Sequence, residues 1–242
     1  MKINHCREIV EHILTHFVSN ELAFKVSDLM RSRDIDRYDT PLSPFKRYYI
    51  PPSKIKRNTG RKYPPWKNRK SLLGQVQDGI WDQRPPTPDG YPIKFNERSQ
   101  FICSKLHFED GVPLTDIDQY KEQIGDFNSE LIREDIRRIG ELIQSIRNHG
   151  YKTQDELGEF PNNKLKRYTN EIAVDIARDG EFLFVDGSHR LTAAKILDLD
   201  AVPVVVLVRH EQWMKTIEEL IESDRIRELP SNHPDVRFSK LD

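Results

Sequence analysis

Phe184-Val185-Asp186-Gly187-Ser188-His189-Arg190-Leu191-Thr192-Ala193-Ala194-Lys195 (FVDGSHRLTAAK) is the stretch whose reading decides the fold. An apolar run stops at Asp186-Gly187, a polar triplet follows, and an alanine-rich segment then reads as helix. Gly187 permits a sharp turn and close approach of a ligand to the backbone. The first amides of a helix have no intrahelical acceptor and carry partial positive charge. A strand-turn-helix junction is therefore an anion site before any side chain is added. Ser188 supplies a hydroxyl, as a cap or to a phosphate oxygen. His189 and Arg190 add donors, and a guanidinium can hold phosphate through two parallel bonds. Asp186 ends the strand, where it can cap the turn, orient Arg190 or face a metal ion. The turn 187–191, from Gly187 through Leu191, is thus the expected phosphate site. It has neither the GxxxxGK[ST] of a P-loop nor the GxGxxG of a dinucleotide fold.

Working outward, Ile172, Val174 and Ile176 alternate as a strand, Arg178-Asp179-Gly180 makes a turn, and Phe182 to Val185 forms a second strand, so the two make a hairpin. A helix is expected over about Arg190–Leu197, and the continuous apolar run Val202–Val208 reads as a buried strand. An amphipathic helix over about Glu211–Ser223 turns Trp213, Ile217, Leu220 and Ile221 inward. Upstream, the clearest helix spans about Ser129–Asn148, where Ile132, Ile136, Ile139, Ile143 and Ile146 recur at helical spacing and Gly150 provides the stop. A helix over about Asn96–Glu109 and a short one carrying Ile117, Tyr120 and Ile124 precede it. Tyr48-Tyr49-Ile50 is a short strand ended by Pro51-Pro52, and Leu72 to Trp81 holds another. Residues 8–18 place Ile9, Val10, Ile13, Leu14 and Phe17 on one helical face, residues 151–170 read as polar loop, and the end of the chain, LPSNHPDVRFSKLD, reads as loop.

The hairpin followed by DGSHRLTAAKILDLDAVPVVVL resembles the ParB/sulfiredoxin-like superfamily, in which a Gly and polar residues with Arg precede an alanine-rich helix, a short turn and a valine-rich strand. The resemblance is close over about Asn170–His210, about a sixth of the chain, with a weaker match at YYIPPSKI (48–55). It implies an α/β (α+β) fold: a small mixed sheet with surrounding helices over 41–225, a helical extension over 1–40, a helical insertion over about 96–150, and a tail over 226–242. It also implies that Gly187, His189 and Arg190 contact the phosphates of a nucleotide, with Ser188 among them. Sulfiredoxins carry a reactive cysteine where this chain has Ser188, which argues against sulfinic-acid reduction. Partition proteins carry a Glu-Arg-Arg version of the turn and a helix-turn-helix that has no counterpart here. Free-serine kinases of the superfamily carry a His-Arg turn like this one, and a DGQHR variant occurs in proteins tied to DNA phosphorothioation.

The expected ligand is a nucleotide (ATP, ADP or CTP) with Mg²⁺. The expected activity is phosphoryl transfer to a small-molecule acceptor or nucleotide hydrolysis, with a nucleotide-dependent DNA-binding protein and a non-catalytic nucleotide sensor as the other readings. His189 is chemically suited to act as a general base near neutral pH, and Asp186 or Asp82 is the candidate carboxylate. Lys54 and Arg57, just after the first strand, are candidates for reaching the same pocket. The 242-residue chain carries a net charge of −1, yet positions 46–70 hold ten basic residues and no acidic one, with Tyr48, Tyr49, Tyr63 and Trp66 interleaved. That run is a possible contact for DNA. The two cysteines, Cys6 and Cys103, show no metal-ligand spacing. The start of the chain has no long apolar run, so a cytoplasmic protein with no membrane partner is expected.

Overall fold

The computed structural model describes residues 35–38, 42, 46–61, 72–86, 92–124, 129–158, 168, 170–225, 233 and 235. The helix expected over 8–18 and the basic positions 62–70 lie outside them. The architecture is mixed α/β: a six-stranded mixed sheet with five α-helices among the described residues. The strands are β1 (Tyr48–Ile50), β2 (Arg57–Asn58), β3 (Gln75–Gln77), β4 (Ile172–Ile176), β5 (Phe182–Asp186) and β6 (Val202–His210). The helices are α1 (Ser99–Phe108), α2 (Asp118–Ile124), α3 (Ser129–His149), α4 (Ser188–Ile196) and α5 (Glu211–Glu222). No helix of the described residues is long and apolar enough to cross a membrane.

The sheet order is β1-β6-β4-β5-β2, with β3 also paired to β6. β4 and β5 form the expected antiparallel hairpin, while β6 runs parallel to β4 after the α4 crossover. β1 lies antiparallel against the start of β6 and β3 parallel against its end. Alternation along the strands sorts side chains onto two faces. Ile172, Val174, Ile176, Phe182, Phe184, Val204 and Val206 join one apolar cluster with Leu191, Ala194, Trp213 and Ile217 from α4 and α5. Ala173, Leu183, Val185, Val205 and Leu207 join a second with Leu72, Leu73 and Trp81. Both faces are covered, so all five residues of β4 and all nine of β6 are buried. The isoleucine stripe of α3 packs on α4, with Ile139, Ile143 and Ile146 against Ala193, and this fixes one side of the motif helix.

One strand differs from the expectation. The two-residue β2, parallel to β5, was not anticipated; a pair of residues is too short to show a period. Of the end of the chain, read as loop, only His233 and Asp235 are described, and both are buried. Asp235 is fully buried, ion-paired to buried Arg209 at 2.9 Å and accepting from the Trp213 indole at 3.0 Å, while His233 stacks on Phe182.

Candidate functional site

The junction between β5 and α4 has the expected backbone. Gly187 sits at φ +89°, in the left-handed region that strains a side chain, and a Cβ there would crowd the Ile172 Cα at 3.0 Å, so both the backbone angle and the space favour glycine. No side chain caps α4, and its first turn contains no acidic residue. The first intrahelical bond runs from the Leu191 amide to the Gly187 carbonyl, leaving the amides before it without an intrahelical acceptor. Asp186 accepts from the Gly187 amide at 2.8 Å, so this carboxylate closes the turn behind the helix end. Residues Asp186 through Arg190 are all partly exposed, which keeps the junction open to solvent.

The side chains are arranged differently from the expectation. Arg190 donates to the carboxylate of Glu171 at 2.7 Å and to the Lys152 carbonyl at 2.5 Å, and its guanidinium stacks 4.7 Å from the centre of the Tyr151 ring. Glu171 has no exposed side-chain surface; it also accepts from the Gln154 amide at 2.8 Å and lies 3.3 Å from Arg47 Nε. Burial pushes the Glu171 carboxyl above the ordinary carboxylate range, against the opposing pull of Arg190 and Arg47. Arg190 therefore holds the 151–154 segment onto the sheet and does not offer its fork to a ligand. Leu191 is fully buried in the core and its amide is already bonded, so it lies outside the phosphate set.

His189 is better placed. Its Nε2 lies 2.8 Å from Asp135 Oδ1 of α3, and the other Asp135 oxygen accepts from Gln100 of α1 at 3.0 Å. With the Nε2 proton directed at the carboxylate, the neutral ring carries its lone pair on Nδ1. A carboxylate-oriented imidazole thus stands at the uncapped end of α4, next to the Ser188 hydroxyl. Asp135 was missed by sequence reasoning because an acid beside an isoleucine stripe looks like ordinary solvated helix surface.

Asp82, Lys54 and Arg57 do not join this site. Asp82 is buried and accepts from Arg178 at 2.8 Å with each oxygen, as well as from the Arg178 amide. Burial alone would raise its carboxyl; the Arg178 bonds outweigh that and hold it below the ordinary range. It is a structural acid at the hairpin turn, at the far end of the β4–β5 pair from Gly187. Arg57 pairs with Glu181 at 2.5 Å in that same turn, and its backbone sits beside Leu183, roughly 13 Å along β5 from Gly187. Lys54 ends a 3-10 turn, Pro52–Lys54, that packs near the C-terminal end of α4 rather than its start.

The three arginines in the described part of the basic run are neutralised from within. Arg47 pairs with Asp155 and Glu171, Arg57 with Glu181, and Arg61 with the fully buried Asp175. Among the described residues no group of three or more His, Cys, Asp or Glu side chains is placed to hold a metal ion by itself. No protein-family model, no curated protein and no solved structure matches this chain.

Proposed function

We propose that the chain is a nucleotide-binding protein of ParB/sulfiredoxin-like type, with the nucleotide phosphates at the start of α4 and phosphoryl transfer or nucleotide hydrolysis as its reaction. The observation that carries the reading is the Asp135-oriented His189 at an uncapped, solvent-open helix N-terminus preceded by a left-handed glycine. The amides of the first turn and the Ser188 hydroxyl receive phosphate oxygens. His189 takes the proton of the attacking hydroxyl or water through Nδ1, and Asp135 stabilises the imidazolium that results. Most of the acceleration comes from positioning and from charge stabilisation of the transferring group.

The residues at the turn fit a nucleotide-borne Mg²⁺. That ion needs only one or two protein carboxylates besides phosphate oxygens, and Asp186, partly exposed, has one oxygen outside its bond to Gly187. Bound there, the ion would neutralise phosphate charge. The small-molecule acceptor is the point on which kinase and hydrolase differ.

The test is a melting-temperature panel of ATP, ADP and CTP with Mg²⁺, followed by turnover assays with and without small hydroxyl acceptors. At least one nucleotide is expected to raise the melting temperature of the full chain. His189→Ala should keep that rise and lower turnover by about 10²–10⁴-fold, and Asp135→Asn should lower it less. If no nucleotide stabilises the wild type, the reading fails. Binding without turnover in the wild type leaves a nucleotide sensor instead of an enzyme.

A further inference from the structure

The C-terminal end of α4 opens onto a cleft of about 570 Å³, bounded by the 3-10 turn after β1, the segment before α1 with one face of α1 and its end from Phe101 to Glu109, and the last turn of α4. Four lysines line it: Lys56, Lys94, Lys105 and Lys195. Only two acids do, Glu109 and Asp198. Lys94 and Lys105 form exposed pairs with Glu97 at 3.2 Å and Glu109 at 3.7 Å. Pairs of that kind contribute little and exchange readily.

Lys56 and Lys195 are different. Among the described residues neither has a carboxylate within ion-pairing distance. Lys195 rises from α4 with its ammonium 5.7 Å from the centre of the buried Phe95 ring. Burial, and then the neighbouring charge of Lys56, lower its pKa to about 8. Lys56 is exposed at the rim and Lys195 is partly buried; a partly buried ammonium that faces a second cation without a counterion is unfavourable in the empty protein, and an anion carrying at least two charges removes that cost. The rest of the wall is mixed: Pro52, Phe101, Ala194 and Ile196 are apolar, and Ser53 and Asn96 add neutral polar groups. The volume lies in the range of small-molecule sites.

We infer that this cleft is a second anion site, which takes a small phosphorylated molecule bearing two or more negative charges and pairs it with Lys195 and Lys56. It is separate from the β5–α4 turn: Lys195 is seven residues from Ser188, roughly 10 Å along the helix. The inference goes beyond the nucleotide reading and does not require it.

The experiment uses pyrophosphate as the probe and the full chain. Lysines are labelled by brief reductive methylation at pH 8, and the modified positions are located by peptide mass spectrometry. Lys195 is expected to label faster than the surface lysines because a large share of it is neutral at that pH. Pyrophosphate should slow its labelling at least fivefold, with a dissociation constant on the order of 0.1 mM or tighter. Lys56→Met should weaken that protection about tenfold, and should raise the pH at which Lys195 becomes reactive. Circular dichroism checks that the variant is folded, and Lys94→Met serves as a second variant with a milder expected loss.

Absence of protection at saturating pyrophosphate overturns the inference. Protection of Lys195 by a thymidine oligonucleotide but not by pyrophosphate also overturns it, since the cleft would then be reading a nucleic-acid backbone. Pyrophosphate that stabilises the chain without shielding Lys195 places the anion elsewhere and has the same consequence.

Discussion

Replacing Arg190 by methionine separates the two roles available to it. In the structure Arg190 neutralises Glu171, whose carboxylate is entirely buried, and braces Tyr151 and the Lys152 carbonyl. Removing one partner of a buried pair costs about 3–5 kcal/mol. Arg47 at 3.3 Å and the Gln154 amide at 2.8 Å remain with Glu171, which places the charge penalty at the lower end, about 3 kcal/mol. The lost ring contact adds about 0.5–1 kcal/mol. At this chain length a loss of 3 kcal/mol lowers the melting temperature by roughly 6–12 °C.

The loss carries a pH signature. The Glu171 carboxyl is already raised in the native chain, and without Arg190 it rises further. Between the ordinary carboxylate value and that raised value, the folded variant holds a proton that the unfolded chain has released, so its stability increases as pH falls through the window. Urea denaturation at pH 7 and at pH 5 should therefore show the gap to wild type narrowing in acid. Glu171→Gln in the Arg190→Met background should recover about 1–3 kcal/mol, because no buried charge is left to strand. A variant that melts like wild type but no longer binds nucleotide would refute this reasoning and return the guanidinium to the ligand.

Asp82→Asn should cost about 2 kcal/mol by weakening the bonds to Arg178, with nucleotide binding unchanged; lost binding at unchanged stability, seen by calorimetry, would restore Asp82 to the site. The lowered Asp82 carboxyl gives the opposite pH trend from Glu171: its contribution is present above the ordinary carboxylate range and disappears as pH falls through the folded value, which the same urea series in wild type and variant can read. Gly187→Ala forces a side chain into the left-handed region against the Ile172 backbone and should cost about 2 kcal/mol in urea unfolding, while a neutral result would mean that the turn relaxes easily.

The hairpin, α4 and β6 were legible because each announces itself locally. β4 alternates, Gly180 and Gly187 mark the two turns at positive φ, and the valine run of β6 has the length of a strand. α3 was legible to within a residue because its isoleucines keep helical spacing over about four turns. The pairing of charges was not legible. Asp82 looks like a lone acid until Arg178 is brought over it by the hairpin, and Arg190 looks like a free fork until Glu171 rises beneath it from the start of β4. Lys54 and Arg57 lie close in sequence to the first strand, which does not fix where their side chains go. In this short extended segment neighbouring side chains diverge: Arg57 turns to Glu181, while Lys56 faces the cleft with Lys195. Lys195 ends the FVDGSHRLTAAK stretch, yet an alanine-rich helix gives no sign that its lysine lies over a buried phenylalanine.

The internal pairing of Arg190 does not remove the anion-binding capacity of the β5–α4 turn, because that capacity resides mainly in the backbone. A side-chain donor can be neutralised by any acid that the fold places beside it, as Glu171 does here. The amides at a helix N-terminus are neutralised only by a capping group, and α4 has none; the carboxylate that precedes it in sequence, Asp186, is engaged with Gly187. A phosphate at the turn then depends on the shape set by Gly187 and on the placement of α4 by α3, with Arg190 contributing rigidity from behind. Arg190→Met should accordingly reduce nucleotide affinity only as far as it loosens the 151–154 segment, whereas adding an acid within reach of the free amides, as in Ser188→Asp, should compete directly with phosphate. A Ser188→Asp chain that is more stable and binds nucleotide at least tenfold more weakly fits this division of roles, and one that binds as tightly as wild type contradicts it.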